Sequence, residues 1–258
     1  GKISIFVGNY DFWYETSQLL LKQQKEANKK AEARAQELKD FIARFSANAS
    51  KSRQATSRKK ELEKLTIEDI KPSSRKYPYI NFECAREPGN EILAVENLTV
   101  NGFFRNVSFR INKGEKVAFL TDKSVRMDKL FNVIMGLEKA DSGTVTIGKT
   151  ITTSYLPADY RSYFEGVNLN LLDWLKQYAQ DTNETFIRSW LGRMLFSGEE
   201  ALKKADVLSG GERVRCMLAK TMLEQGNLLI FNEPTNHLDL ESITALNQGM
   251  IRSKAVML

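Results

Sequence analysis

Histidine and cysteine are nearly missing from this chain: His237 is the sole imidazole, and Cys84 and Cys216 are the only thiols in 258 residues. The two cysteines lie far apart and outside any metal-ligand spacing. That excludes a disulfide framework and a Cys/His metal centre, and predicts reduced, buried thiols. No apolar run approaches the ~18 residues a membrane helix needs, and no basic, apolar, small-residue leader precedes the first element. A soluble, cytoplasmic, globular chain is therefore expected, one that forms no transmembrane path of its own. Repeats and low-complexity tracts are absent as well. Acidic residues vanish locally: between Phe41 and Lys60 stand Arg44, Lys51, Arg53, Arg58, Lys59 and Lys60, with no Asp or Glu. Such a run is often only a solvated face. Here the charge is concentrated at one place among Asn48, Ser50, Ser52, Gln54, Thr56 and Ser57, in a chain of net charge +6. Contact with a phosphate backbone fits that pattern better.

With 42% apolar and 10% aromatic residues, the chain can hold one large or two small packed domains. Residues 1–10 alternate weakly and read as a strand ending at Gly8-Asn9. From Asp11 the pattern turns helical, with Leu20, Gln24, Ala27, Ala31, Ala35, Leu38, Ile42 and Phe45 spaced by threes and fours in a narrow seam. A polar tip follows at residues 47–50, and a second helix carrying Ala55, Leu62 and Leu65 is expected to return along the first as an antiparallel hairpin. Lys71-Pro72-Ser73-Ser74-Arg75-Lys76-Tyr77-Pro78 reads as a linker. Beyond it, 80–82, 92–100 and 103–111 read as antiparallel strands, the last two joined at Asn101-Gly102. Then come a strand at 117–120, a helix near 130–136, a strand at 151–156, and helices at 169–178, 185–196 and 211–223. Trp174 and Trp190 fall on helical spacing and are expected in the core.

The chemistry is concentrated in two strings. Leu208-Ser209-Gly210-Gly211-Glu212 opens a helix. Ser209 and Glu212 can form a capping box, while Gly210 and Gly211 leave the helix start bare for an anion to approach its free amides and positive dipole end. Downstream, Leu228-Leu229-Ile230-Phe231 is a continuous apolar run, as for a parallel strand covered on both faces. Asn232 and Glu233 then stand at its C-terminal edge, where ligands of such sheets gather, before Pro234-Thr235-Asn236-His237-Leu238-Asp239. His237 follows the turn and is read as structural rather than as a proton shuttle.

These strings resemble the ATP-binding cassette superfamily. The resemblance implies an α/β fold: an ABC-type P-loop NTPase cassette with an antiparallel β subdomain, a parallel-sheet core and a helical subdomain. It further implies that Leu208, Ser209, Gly210, Gly211 and Glu212 are the signature that closes over ATP held by another cassette. Glu233 takes the catalytic glutamate position, and Leu238 and Asp239 the D-loop. Either Glu233 orients a water or it is a retained family residue. The phosphate loop departs from the pattern. Its glycines fall at Thr121, Ser124 and Arg126, its lysine at Met127 and its magnesium-binding hydroxyl at Asp128. The Walker B aspartate position is Asn232, and the Q-loop position is Ala158. A carboxylate at Asp128 repels triphosphate. ATP and Mg2+ are thus expected in the full-length protein, with weak or no binding at this cassette's own site.

A helical, basic-tipped linker before a cassette looks like the ABC-F translation factors, as do the strings Arg44-Phe45-Ser46-Ala47-Asn48-Ala49-Ser50-Lys51, Asn168-Leu169-Asn170-Leu171-Leu172 and Leu191-Gly192-Arg193-Met194-Leu195-Phe196. This resemblance implies that residues 1–10 end a first cassette, 11–70 form the basic helical-hairpin linker, and 71–79 connect it to a second cassette at 80–258, cut before the switch-histidine strand. Implied partners are the first cassette of the same protein, the ribosome at its exit site, tRNA and rRNA. Arg44, Lys51, Arg53, Arg58, Lys59 and Lys60 are the expected RNA contacts. In this reading the full-length protein hydrolyses ATP and the isolated chain does not. The alternatives are a nucleotide-binding subunit of a membrane transporter and an inactive interaction module.

Overall fold

The computed structural model describes residues 5–45, 52–65, 75–122 and 126–258. The chain divides into two compact units, residues 1–74 and 75–258. The first unit is built on two helices, α1 (Tyr10–Phe45) and α2 (Ser52–Lys64). The expected strand at residues 1–10 does not form over its described part. Instead Asn9 starts α1, its side-chain oxygen accepting from the Phe12 amide at 3.0 Å, the local bond that lets Asn compete with extended structure at a helix start. At 1.5 Å per residue α1 is about 54 Å long. The helices run antiparallel: the Arg34 guanidinium donates to Glu61 at 2.7 Å, and the Arg58 guanidinium lies 5.9 Å from the centre of the Phe41 ring. Ala35 and Leu38 are buried between them. Toward the start of α1 the expected stripe holds at Gln24 and Ala31 but is displaced by one residue at Leu20 and Ala27. Leu20 and Ala27 are exposed, and Leu21, Gln24 and Asn28 are the half-buried positions. Among the described residues, the 13-residue α2 lies against the far end of the 36-residue α1.

The second unit has two three-stranded sheets. In the first, β1 (Glu91–Val100) lies between β2 (Phe104–Asn112) and β3 (Ser142–Ile147), both antiparallel to it. Gly102, at φ 83°, supplies the turn between β1 and β2. In the second sheet, β4 (Thr153–Leu156), β5 (Leu228–Phe231) and β6 (Val256–Met257) are parallel, with β5 central. Alternation along β5 joins two cores. Leu228 and Ile230 pack with Ile92, Leu98, Leu130 and Val256 on one face, while Leu229 and Phe231 pack with Leu156, Met217 and Leu218 on the other. An apolar run without polar gaps is what burial on both faces requires.

The helices are α3 (Met127–Ile134), α4 (Leu171–Lys176), α5 (Glu184–Arg193), α6 (Gly210–Leu223) and α7 (Leu240–Arg252). Trp174 is 1% exposed, stacked on Phe164 at 4.8 Å, with its indole N–H donating to the Tyr163 carbonyl at 2.8 Å. Trp190, expected in the core, is only half-buried. Two expected strands are not strands. Residues 80–82 make no ladder, although Ile80 and Phe82 are buried. At 117–120 ladder pairing stops at the preceding residue: Lys116 bridges Met257, and the Val117 amide donates to the Met257 carbonyl at 2.9 Å. At 80–82 the two apolar residues are buried without a strand partner, and at 117–120, where Val117 and Phe119 are only half-buried, pairing with Met257 goes no further than the Val117 amide among the described residues.

Candidate nucleotide-phosphate site

Strand β5 delivers the first group of predicted residues. Its end is tied to β4 by the Asn232 amide donating to the Leu156 carbonyl at 2.9 Å, and Asn232 is buried. Glu233 then turns out of the sheet at φ 51° and is exposed. Its carboxylate accepts from the Asn236 side-chain amide at 2.6 Å. Around these residues lies a cleft of about 740 Å3, lined by Thr121, Arg126, Met127, Asp128, Ala158, Asn232 and Glu233 among others. The sequence positions assigned to one site therefore share one cavity, except Ser124, which lies outside the described residues.

Two of the cleft's charges, Arg126 and Asp128, are paired with each other. Arg126 donates to both oxygens of Asp128, at 3.1 and 2.7 Å, in the first turn of α3. The guanidinium holds the Asp128 carboxyl below the usual carboxylate range. A carboxylate thus sits at the helix start where a phosphate would need bare amides, and Met127 presents no charge beside it. This donor set does not suit a magnesium triphosphate. Residues that the motifs did not flag also line the cavity: Asp122, Asp159 and Met250. Asp159 is bridged by Arg161 at 2.6 Å and its carboxyl is lowered to about 2 by that hydrogen bond. The only available signal for it was adjacency to Ala158. Deeper in, burial pushes the Tyr155 phenol up to about 12.

The second group opens α6. Both halves of the capping box form: the Ser209 amide donates to Glu212 at 2.9 Å, and the Glu212 amide donates to the Ser209 hydroxyl at 3.4 Å. Burial alone would raise the Glu212 carboxyl, but the Ser209 bonds and the Lys203 ammonium at 3.0 Å lower it on balance. Leu208 is buried, anchoring the turn, while Ser209 is exposed. The glycines have a role that the sequence concealed. A Cβ on Gly211 would lie 2.8 Å from the His237 carbonyl oxygen, and one on Gly210 would lie 3.3 Å from the imidazole. The Asn236-His237-Leu238-Asp239 turn packs directly on the helix start, with His237 at φ 61°. Leu238 is half-buried against the core, and Asp239 caps α7 by accepting from the Ser242 amide at 2.8 Å. The amides of Gly210 and Gly211, the first of the helix, keep no intrahelical acceptor.

Of the basic linker residues, Arg44, Lys59 and Lys60 are exposed. Arg58 is not a free cation as expected. It is paired with Glu61 at 2.9 Å, one residue beyond the acid-free stretch. Lys51 lies outside the described residues, and nothing is described of the Arg53 side chain.

A parallel sheet whose central strand ends in Asn232-Glu233, beside a glycine-opened capped helix and an antiparallel subdomain, is the architecture of an ATP-binding cassette. Two family models, both described as ABC transporter, match the chain over residues 1–82 and 104–236. The chain belongs to the ABC transporter ATP-binding cassette family. It is 60% identical over its whole length to the ABC transporter ATP-binding protein YkpA of Bacillus subtilis, covering 48% of that protein. It is 40% identical over 97% of its length to the ATP-binding protein YbiT of Escherichia coli, covering 48%, and 32% identical over 98% to ABC transporter F family member 2 of Arabidopsis thaliana, covering 38%. The chain thus spans about half the length, or less, of these relatives. A solved metal-chelate type ABC transporter in an inward-facing conformation matches with a TM-score of 0.53 at 20% identity, over 66% of this chain and 72% of that one; this likeness shows the fold. Among the described residues no helix is long and apolar enough to cross a membrane.

Proposed function

We propose that the chain is the linker and second cassette of a cytoplasmic, ribosome-associated ATPase of the ABC-F type. Ser209, Gly210 and Gly211 complete a site for ATP and Mg2+ on a first cassette of the same protein, while the cleft at Asp128 is degenerate and binds magnesium-ATP weakly or not at all. Glu233 remains a water-orienting residue in position only. The single observation that carries this reading is the asymmetry of the two half-sites: Asp128 is clamped by Arg126, whereas Ser209 stands exposed at a helix start whose two glycines are half-buried against the His237 turn. Similarity to an F family member supports the class. The basic linker supports RNA as partner, because structured RNA is gripped mainly through phosphates and 2′-hydroxyls. Arg44, Lys59 and Lys60 are the exposed contacts in this reading, with Lys51 and Arg53 at the tip and Arg58 contributing through a half-neutralised pair.

The test uses the full two-cassette protein, with and without residues 41–60, in an ATPase assay and in co-sedimentation with ribosomes over a salt series. Expected results are salt-sensitive pelleting that needs the linker, and turnover abolished by Gly210→Asp. Unchanged ATPase activity in that variant rejects the signature assignment, and absence of pelleting rejects the ribosome. A fluorescent ATP analogue titrated against the isolated chain reads the degenerate site, and low-micromolar binding there overturns its assignment.

A further inference from the structure

The string containing Gly192 and Arg193 has no part in the cleft or the signature turn, yet its surface is built in an unusual way. The Arg193 guanidinium is exposed and lies over two rings, 4.5 Å from the centre of Trp190 and 5.4 Å from that of Tyr79. Backbone bonding fixes the arrangement: the Tyr79 amide donates to the Arg193 carbonyl at 2.8 Å. Phe186 meets Trp190 at 6.2 Å and backs the stack. No carboxylate partner of Arg193 occurs among the described residues, whereas Arg188 on the same helix is bonded to Glu184 at 2.8 Å. A guanidinium held over two rings, exposed and bonded to no carboxylate among the described residues, keeps N–H donors available to a phosphate. Tyr79 is 52% and Tyr77 37% exposed, beside the exposed Lys76. Gly192 adds an independent observation. It sits inside the last turn of α5 without positive φ, and a Cβ there would meet nothing within 4 Å. Neither packing nor backbone strain accounts for a residue that weakens a helix, and its absence of side chain leaves room for a ligand against the backbone.

We infer that Tyr79, Trp190, Gly192 and Arg193 form a second RNA-contacting surface, on the cassette itself, that takes an unstacked nucleotide: the phosphate on the Arg193 edge and the base on the exposed Tyr79 ring. RNA fits better than an acidic peptide, because every base offers a π-face to an exposed ring next to a cation. The inference rests on the RNA reading of the linker only for the kind of polymer.

The test is fluorescence anisotropy of the full chain with a labelled single-stranded RNA of about 20 nucleotides, longer than the ~4–16 covered by common single-strand sites. Arg193→Gln and Tyr79→Leu are each expected to weaken binding about three- to tenfold at low salt. Arg193→Gln should also make the salt dependence shallower by about 0.7 in log–log slope, one phosphate contact on a single strand. Arg193→Lys should not restore the wild-type affinity, Gly192→Ala should weaken binding, and Arg188→Gln should leave it unchanged. Near-ultraviolet circular dichroism and the unfolding midpoint confirm that each variant is folded. Equal binding by wild type and Arg193→Gln overturns the inference, as does an equal loss in Arg188→Gln or polyglutamate competing as well as RNA. A Lys59→Gln/Lys60→Gln variant separates the two surfaces. If it abolishes binding while Arg193→Gln does not, the cassette surface falls and the linker reading stands; the reverse result sinks the linker reading alone.

Discussion

Replacing Gly211 by alanine separates the two reasons a glycine can open α6. If the glycine serves only an approaching anion, the isolated chain gains stability, since alanine recovers roughly 0.5–1 kcal/mol of helix propensity. The structure requires the opposite sign. The added Cβ falls 2.8 Å from the His237 carbonyl oxygen, a backbone atom that no rotamer change can remove. Its turn is held by the Asn236 amide on the Glu233 carbonyl at 3.1 Å and the Leu238 amide on the Thr235 carbonyl at 3.2 Å. Relief needs a shift of about 0.5 Å in a packed turn, at the roughly 1–3 kcal/mol typical of overpacking. The net effect is a loss of about 1–2 kcal/mol, or ~2–8 °C in a unit of this size. Gly210→Ala is the internal control: its Cβ meets the His237 imidazole at 3.3–3.4 Å, a side chain that can give way, so stability should change by less than ~0.5 kcal/mol. Thermal unfolding by circular dichroism reads both. Equal midpoints for wild type and Gly211→Ala, or equal shifts in the two variants, refute the packing argument. Adding His237→Ala must not rescue Gly211→Ala, because the clashing atom is backbone.

Two further outcomes follow from the core and the cleft rim. Trp174→Ala should cost about 3–5 kcal/mol in chemical denaturation, because the ring is stacked on Phe164 and its N–H satisfies the Tyr163 carbonyl; a loss under ~1 kcal/mol contradicts the assigned core. The Asp159 carboxyl should titrate near pH 2 by NMR, and Arg161→Ala should raise it toward, but not fully to, its ordinary value of 3.8, because the residue-161 backbone amide still donates to it at 3.0 Å. Because the folded value is depressed, its contribution is present above the ordinary value and is lost as pH falls through about 2. Exposure keeps that contribution small, so the titration midpoint is the decisive readout, and a midpoint unmoved by Arg161→Ala removes the assigned cause.

The parts of this molecule legible in its sequence are those whose cause is local. Ser209 and Glu212 are three residues apart, so their capping box was readable as a string and forms as written. The same holds for β5, where four apolar residues in a row already require cover on both faces. Where the cause lies elsewhere in the chain, local pattern misled. Residues 117–120 form an apolar run that reads as a strand before a loop and helix, but a ladder needs a partner's amides and carbonyls, and the bridge to Met257 ends at Lys116. Helix α1 repeats its apolar residues along its length, yet among the described residues its fully buried positions, Ala35 and Leu38, fall where α2 lies against it.

The site divides along the same line. Residue types alone carried the expectation that phosphate chemistry is lost at Met127, Asp128 and Asn232 and kept at Ser209 to Gly211, because charge and side-chain size are properties of single positions. That Arg126 forks Asp128, that the His237 turn packs against Gly210 and Gly211, and that Arg193 lies over Tyr79 and Trp190 were decided by tertiary structure. A guanidinium finds a carboxylate, a ring or open solvent according to which segments packing brings together. Composition supplies those groups without choosing among them.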